Sequence, residues 1–429
     1  MSKLIKILIL FQVFNIKAAQ ALSHKAKDEH NPKFAKNSIL FIGDGMGGAQ
    51  ITASRIWSQG SKGSLSMENI SNIALIKTYS LDNYTTDSAA AGTALACGQK
   101  TYNGYIGMTR DENQRPEVLS SLIQKIKAQG KSIGIISTTR VSHATPAAFF
   151  AHVENRNMEE EIVSQIESSD VDLLMGGGKQ FFYPENYYDT VDHKQGLRKD
   201  QRNVVSELED KNWKFLSHRQ ELSKQINIKT SQKVLGLFNM SHISYTDDRK
   251  NHEPSLEEMV TFAISYLSKN PKGYFLMVEG GRIDHASHDN YAKKMLKETI
   301  DFDKSIAYAL RVCDLNETLI AITADHETGG LAINGYGSVD HMRGEKLLGK
   351  SEKDPQTDIS HWHLSWSTGP NYSKVEDIEH PSGQYSKDAA HTAIDVPLLT
   401  TGKGTNLFRG FLKNSDIPHL ILEAMGTTF

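Results

Sequence analysis

Ser38-Ile39-Leu40-Phe41-Ile42-Gly43-Asp44-Gly45-Met46-Gly47-Gly48 is the stretch on which the reading of this chain turns. A short apolar run breaks abruptly into glycines around one carboxylate. The run is too short for an ordinary helix and has no polar alternation, so it predicts a strand buried on both faces. Four more runs end the same way. Ser132 to Ile136 leads into Ser137-Thr138-Thr139-Arg140, and Tyr274 to Val278 into Glu279-Gly280-Gly281. Leu319 to Thr323 leads into Ala324-Asp325-His326-Glu327, and Pro397 to Leu399 into Thr400-Thr401-Gly402. All five read as parallel strands.

Between them, Glu117 to Gln129, Leu256 to Leu267 and Thr299 to Cys313 carry apolar residues at helical spacing. Strand–helix alternation predicts an α/β fold, a three-layer sandwich whose large, mostly parallel central sheet is flanked by helices. Ligands in such folds gather at the carboxyl ends of the strands. Four of the runs put their polar or ionisable residues there.

Residues 331–390 lack long periodic runs and read as an irregular peripheral insertion. Residues 181–235 are polar and charged and read as peripheral too. Lys3 and Lys6 flank and interrupt an apolar run from Ile7 to Phe14, and Ala19-Gln20-Ala21 follows. That is the pattern of a secretory signal peptide over residues 1–21, with residues 22–429 as a single catalytic domain. The protein is then exported, periplasmic or secreted. No later run is long enough to predict a transmembrane segment. The formal net charge of −3 gives no basic footprint for nucleic acid. Cys97 and Cys313 lack metal-site spacing and read as two free, buried thiols.

Six segments can carry chemistry. Asp44, among its glycines, could bridge two cations, although Asp-Gly is also a common turn. In Thr86-Asp87-Ser88-Ala89-Ala90-Ala91, Ser88 suits a helix N-terminus, where free backbone N–H groups favour phosphate. The same residues would serve as an ordinary helix cap. No histidine lies near Ser88 in sequence, so a metal is the better activator if it is a nucleophile. Glu279 precedes Asp284 and His288, whose i,i+4 spacing aims both the same way on a helix; carboxylate with imidazole suits zinc. Asp325-His326 follows a strand directly, and burying that pair without a partner is costly. His391 stands just before a strand. His143-Ala144-Thr145-Pro146 and Arg156 complete the set, Arg being the side chain that grips phosphate with a fork.

Taken in order, Gly43-Asp44-Gly45-Met46-Gly47, Thr86-Asp87-Ser88-Ala89-Ala90, His143-Ala144-Thr145-Pro146-Ala147, the Arg156 segment, Glu279 through His288, Thr323-Ala324-Asp325-His326-Glu327 and His391-Thr392 resemble the alkaline phosphatases. The resemblance implies metal-dependent hydrolysis of phosphate monoesters through a phosphoserine at Ser88. It implies two zinc ions, one on Asp284, His288 and His391 and one on Asp44, Asp325 and His326. It implies a third ion, magnesium, on Asp44, Thr145 and Glu279. Arg156 would hold phosphate oxygens, with Asp87 orienting it. His143 and His285 occupy positions that vary in the family and would lie around the substrate. His361 and His363, i,i+2 and so on one face of a strand, are rivals to His391. The family also implies a homodimer. A phosphodiesterase or sulfatase on a related scaffold, or a non-catalytic exported phosphate- or metal-binding protein, are the other readings of these residues.

Overall fold

The computed structural model describes residues 33–224, 228–229, 231–335, 342–350, 353, 361–370 and 382–429. Residues 1–21, read as a signal peptide, lie outside them. Ten strands form the central sheet. In chain order they are β1 (Asn37–Ile42), β2 (Asn72–Lys77), β3 (Ser132–Arg140), β4 (Leu173–Gly177), β5 (Trp213–Leu216), β6 (Lys233–Leu237), β7 (Tyr274–Glu279), β8 (Thr318–Thr323), β9 (Val396–Gly402) and β10 (Gly410–Lys413). Their spatial order is β10-β2-β9-β8-β1-β7-β3-β4-β6-β5. From β8 to β5 every pairing is parallel. The strands β1, β7 and β8 hold the middle, and from Ser38, Tyr274 and Thr318 onward every residue in them is buried. That is why their sequences read as unbroken apolar runs.

Helices flank the sheet. Those that matter here are α1 (Gly48–Gln59), α2 (Ser88–Cys97), α3 (Leu122–Ala128), α4 (Leu256–Leu267), α5 (Arg282–His288) and α6 (Ala292–Val312). The Ser255–Glu258 capping box starts α4 at the residue the periodicity predicts. The helix read from Glu117 begins only at Leu122, because Pro116–Val118 pairs with Met108–Arg110 in a hairpin and Ser121 caps the helix. The one read from Thr299 begins earlier, at Ala292.

Four sequence expectations change. The run Pro397 to Leu399 lies in β9, which is antiparallel to both β8 and β2. An apolar run carries no direction, and among the described residues no α-helix lies between β8 and β9. Its beginning therefore lies at the edge where the parallel strands end. Residues 181–235 are not merely peripheral, since β5 and the start of β6 come from them and Arg198 within them is fully buried. The short runs at Trp213 and Val234 are hidden among charged neighbours. Within 331–390, Ala332–Ile333, Leu364–Gly369 and Ser382–Tyr385 form a small three-stranded sheet, with Leu364 and Trp366 buried. Cys97 and Cys313 are both free, but only Cys97 is fully buried.

Candidate active site

The loops after β1, β7 and β8 converge at one edge of the sheet. Asp44 follows β1, Glu279 closes β7, and Asp325 and His326 follow β8; all four are buried. Gly45 makes the convergence possible. Its φ is 71°, and a Cβ there would sit 2.9 Å from Asp284 Oδ1 and 2.8 Å from Thr328 Oγ1. Its N–H donates to Asp325 Oδ1 at 3.1 Å, tying the first loop to the last.

Ser88 opens α2, all ten residues of which are buried. Asp87, not Ser88, is the cap: Oδ1 accepts from the N–H of Ala90 at 2.9 Å. The Asp87 Oδ2 accepts from Gly104 N and from Arg156 Nη1, both at 3.0 Å. With the cap filled by its neighbour, the Ser88 hydroxyl is left to face the site. Its Oγ lies 3.2 Å from His326 Nε2. The fold thus supplies the histidine that is missing from the local sequence. Gly92 seats the helix closely, since a Cβ there would be 3.2 Å from Thr145 Cα.

His326 Nε2 is also 3.2 Å from Asp325 Oδ2 and 3.5 Å from Asp44 Oδ1. Asp284 Oδ2 lies 3.2 Å from His288 Nε2, and Oδ1 lies 3.6 Å from His391 Nε2. His391 reaches in because β9 runs antiparallel: His391–Thr392 pairs with Glu327–Thr328 on the way to it. Three groups of possible ligands keep their atoms within 4.8 Å of one another: Asp284 with His326 and His391; Asp44 with Asp325 and His326; and Asp44 with His143 and Glu279. The rival pair divides, with His363 buried against the carbonyl of Asn334 and His361 exposed. Neither belongs to a group of this kind among the described residues.

These residues suit cations on two grounds. Both carboxylate oxygens of Asp44 are buried without a hydrogen-bond partner, as are Asp325 Oδ2 and Glu279 Oε1. Secondly, His288 Nδ1 faces the carbonyl of Ala389 at 2.5 Å and His391 Nδ1 that of Thr86 at 2.9 Å. Carbonyls only accept, so each Nδ1 bears a proton and Nε2 is the nitrogen left to take up a positive charge. The two Nε2 atoms lie 3.0 Å apart beside a carboxylate, which asks for a proton or a metal ion between them.

The electrostatics agree. Burial, then Asp325, Asp284 and Glu279, push the Asp44 carboxyl well above its ordinary range. Burial also raises Glu279 to about 7, against hydroxyls of Ser137 and Thr139 that favour its ionised form. Burial opposes ionisation of Asp284, but His288, His391 and His326 outweigh it and hold the carboxyl well below its ordinary range. Burial would lower His288, yet Asp284 lifts it to about 9.

Beside this cluster, His143, His242 and His285 meet edge to face, with centroids 4.5 to 5.4 Å apart. Arg156 Nη2 is 3.3 Å from His143 Nε2. Thr145 is buried in the same segment as His143, its hydroxyl without a hydrogen-bond partner. Sequence reading missed His242, which stands alone in a polar loop. It also missed Thr328, two residues past His326 in an extended segment, where i,i+2 spacing was the available signal.

The alkaline phosphatase family model matches residues 35–427. The chain belongs to the alkaline phosphatase family. It is thereby an enzyme of the phosphoric monoester hydrolase class. It is 32% identical to the tissue-nonspecific alkaline phosphatase of Gallus gallus, over 95% of this chain and 88% of that one. It is 33% identical to an alkaline phosphatase of Gadus morhua, over 92% of each. Among solved structures, the alkaline phosphatase of the Antarctic bacterium TAB5 superposes with a TM-score of 0.72 at 29% identity, covering 92% of this chain and 99% of that one. The Thermus thermophilus enzyme gives 0.73 at 26%, covering 93% of each. A histidine-to-aspartate mutant of the Antarctic enzyme is described with Mg bound.

Proposed function

We propose that the chain hydrolyses phosphate monoesters with Ser88 as nucleophile and with two zinc ions and one magnesium ion as cofactors. The observation that carries this reading is the position of Ser88 Oγ, 3.2 Å from the His326 nitrogen that also meets Asp325 and Asp44. Asp284, His288 and His391 would hold one zinc and Asp44, Asp325 and His326 the other. Asp44, Thr145 and Glu279 would hold magnesium, with His143 close enough to join them. Bound there, the cations would supply the positive charge that favours the Ser88 alkoxide and the departing alcohol oxygen.

The chain's own groups do the rest. The Ser88 oxygen forms a bond to phosphorus as the bond to the alcohol oxygen breaks, leaving phosphoserine. Water then cleaves the phosphoserine and returns Ser88. Arg156 offers N–H donors to the phosphoryl oxygens, held by Asp87 at 3.0 Å. Asp87 in turn is fixed by the N–H groups of Ala90 and Gly104, so the fork is aimed before substrate arrives. His143 and His285 line the same side as Arg156 and would contact the substrate or its water.

We also propose export to the periplasm or outside the cell, on the sequence of residues 1–21; no helix of the described residues is long and apolar enough to cross a membrane. A homodimer is supported by the exposed sheet face where Ile73, Leu75 and Phe411 stand together. Residues 22–429 would form one catalytic domain.

The test is Ser88→Ala in protein with its metals replete, assayed on one leaving group as monoester and diester. Monoester turnover should fall by about a thousandfold or more. Near-normal turnover would reject the phosphoserine route, and a native preference for the diester would reject the substrate class.

A further inference from the structure

Thr328 is fully buried between the two proposed zinc clusters and belongs to neither. Its Oγ1 lies 2.5 Å from Asp284 Oδ1 and 3.2 Å from His326 Nδ1. A hydroxyl has one proton. An ionised carboxylate can only accept, so that proton goes to Asp284. His326 Nδ1 must then be the N–H that donates to Oγ1. The other ring nitrogen, Nε2, is left with its lone pair facing Ser88, Asp325 and Asp44. One side chain therefore decides two things: which Asp284 oxygen is already engaged, and which His326 nitrogen is bare.

The hydroxyl is itself placed from several directions. The Thr328 N–H donates to Gly45 O at 3.2 Å, and its carbonyl accepts from Gln50 Nε2 at 3.0 Å. Thr328 pairs across the ladder with His391. Gly45 leaves the space the hydroxyl needs, since a Cβ there would come within 2.8 Å of Oγ1. The first loop of the site, helix α1 and the strand bearing His391 thus all fix one oxygen.

We propose that Thr328 is a positioning residue that sets both clusters at once, orienting the Asp284 carboxylate of one and holding the His326 ring of the other with Nε2 ready to ligate. The inference rests on the zinc reading above. Outer partners of this kind set ligand orientation and typically change metal affinity by about ten- to a hundredfold.

The experiment compares wild type, Thr328→Val and Thr328→Ser as the full chain. Valine keeps the shape and removes the hydroxyl; serine keeps the hydroxyl. Zinc affinity is measured by competition with a chromophoric chelator, and the melting temperature of each protein is measured without zinc. The expected result is a loss of about tenfold or more for both zinc equivalents in the valine variant. The serine variant should stay within about threefold of wild type, with zinc-free melting alike in all three. Wild-type affinity in the valine variant, a loss confined to one equivalent, or a serine variant as weak as valine would overturn the proposal. If valine prevents folding, alanine takes its place against serine. Failure of the wild type to bind zinc is a different result: it removes the zinc reading itself, and this inference with it.

Discussion

Helix α5 carries two histidines three residues apart whose charge states diverge. His288 lies against Asp284, which overcomes burial and lifts the imidazole to about 9. His285 is half-buried as well, but its neighbour is Arg282, 2.9 Å from Nδ1, and desolvation and that guanidinium drive it down to about 3. The helix thus divides the site. On one side carboxylates outnumber positive groups and several oxygens lack partners, so the region suits cations. On the other, His143, His242 and His285 sit among Arg140, Arg156 and Arg282 and stay neutral. The lesson is that histidine content identifies neither region. The charge of whatever packs against each ring does.

The largest expected effect breaks the comparison on α5 itself. Asp284→Asn should lower turnover by about a thousandfold, because it removes the charge that balances a cation. His285→Asn, one residue away, should cost no more than about tenfold. Similar losses from both, measured as kcat/KM, would refute the division.

Chelation should come next. Prolonged dialysis against a strong chelator should abolish activity and lower the melting temperature, since buried carboxylates would be left facing one another. Restored zinc and magnesium should reverse both. Activity that survives would reject metal catalysis.

Arg156→Ala should reduce kcat/KM by about a hundredfold, raising KM for the monoester and weakening inhibition by inorganic phosphate. Unchanged phosphate inhibition would remove Arg156 from the phosphate site.

The smallest effect concerns stability. Burial, with His285, His143 and Arg140 around it, holds His242 well below its ordinary pKa. The unfolded chain takes up a proton near pH 6.5 that the folded chain refuses, so stability is full above that pH and falls as the pH drops. His242→Gln should lose fewer degrees of melting temperature between pH 7 and pH 5 than the wild type. Parallel curves would show that His242 is protonated in the fold.

Much of the acidic side was legible in the sequence, because its residues stand at the ends of buried strands. Asp44, Glu279 and the Asp325–His326 pair each follow an apolar run, and a parallel sheet brings such ends together. His391 was legible as a residue before a strand, though not the antiparallel direction that turns that position towards the site. The arginine-rich side was less so. Its rings come from two loops and helix α5, and His242 lies in a segment with no pattern around it. Ser88 was readable as a helix start, but Asp87 as its cap depends on where two carboxylate oxygens point. Thr328 had only its i,i+2 spacing from His326 to mark it, because a lone buried hydroxyl adds no chemistry of its own to the pattern. The strands β5 and β6 were obscured by the charged residues flanking them.

The antiparallel β9 also imposes an order in time. It lies between β8 and β2, so the early strand β2 joins the parallel strands through one made after all of them. His391 comes from the segment just before it. A chain emerging from its N-terminus presents Ser88 early and Asp284 well before its partner His391 exists. The serine proposed as nucleophile is therefore made long before the pocket that could activate it.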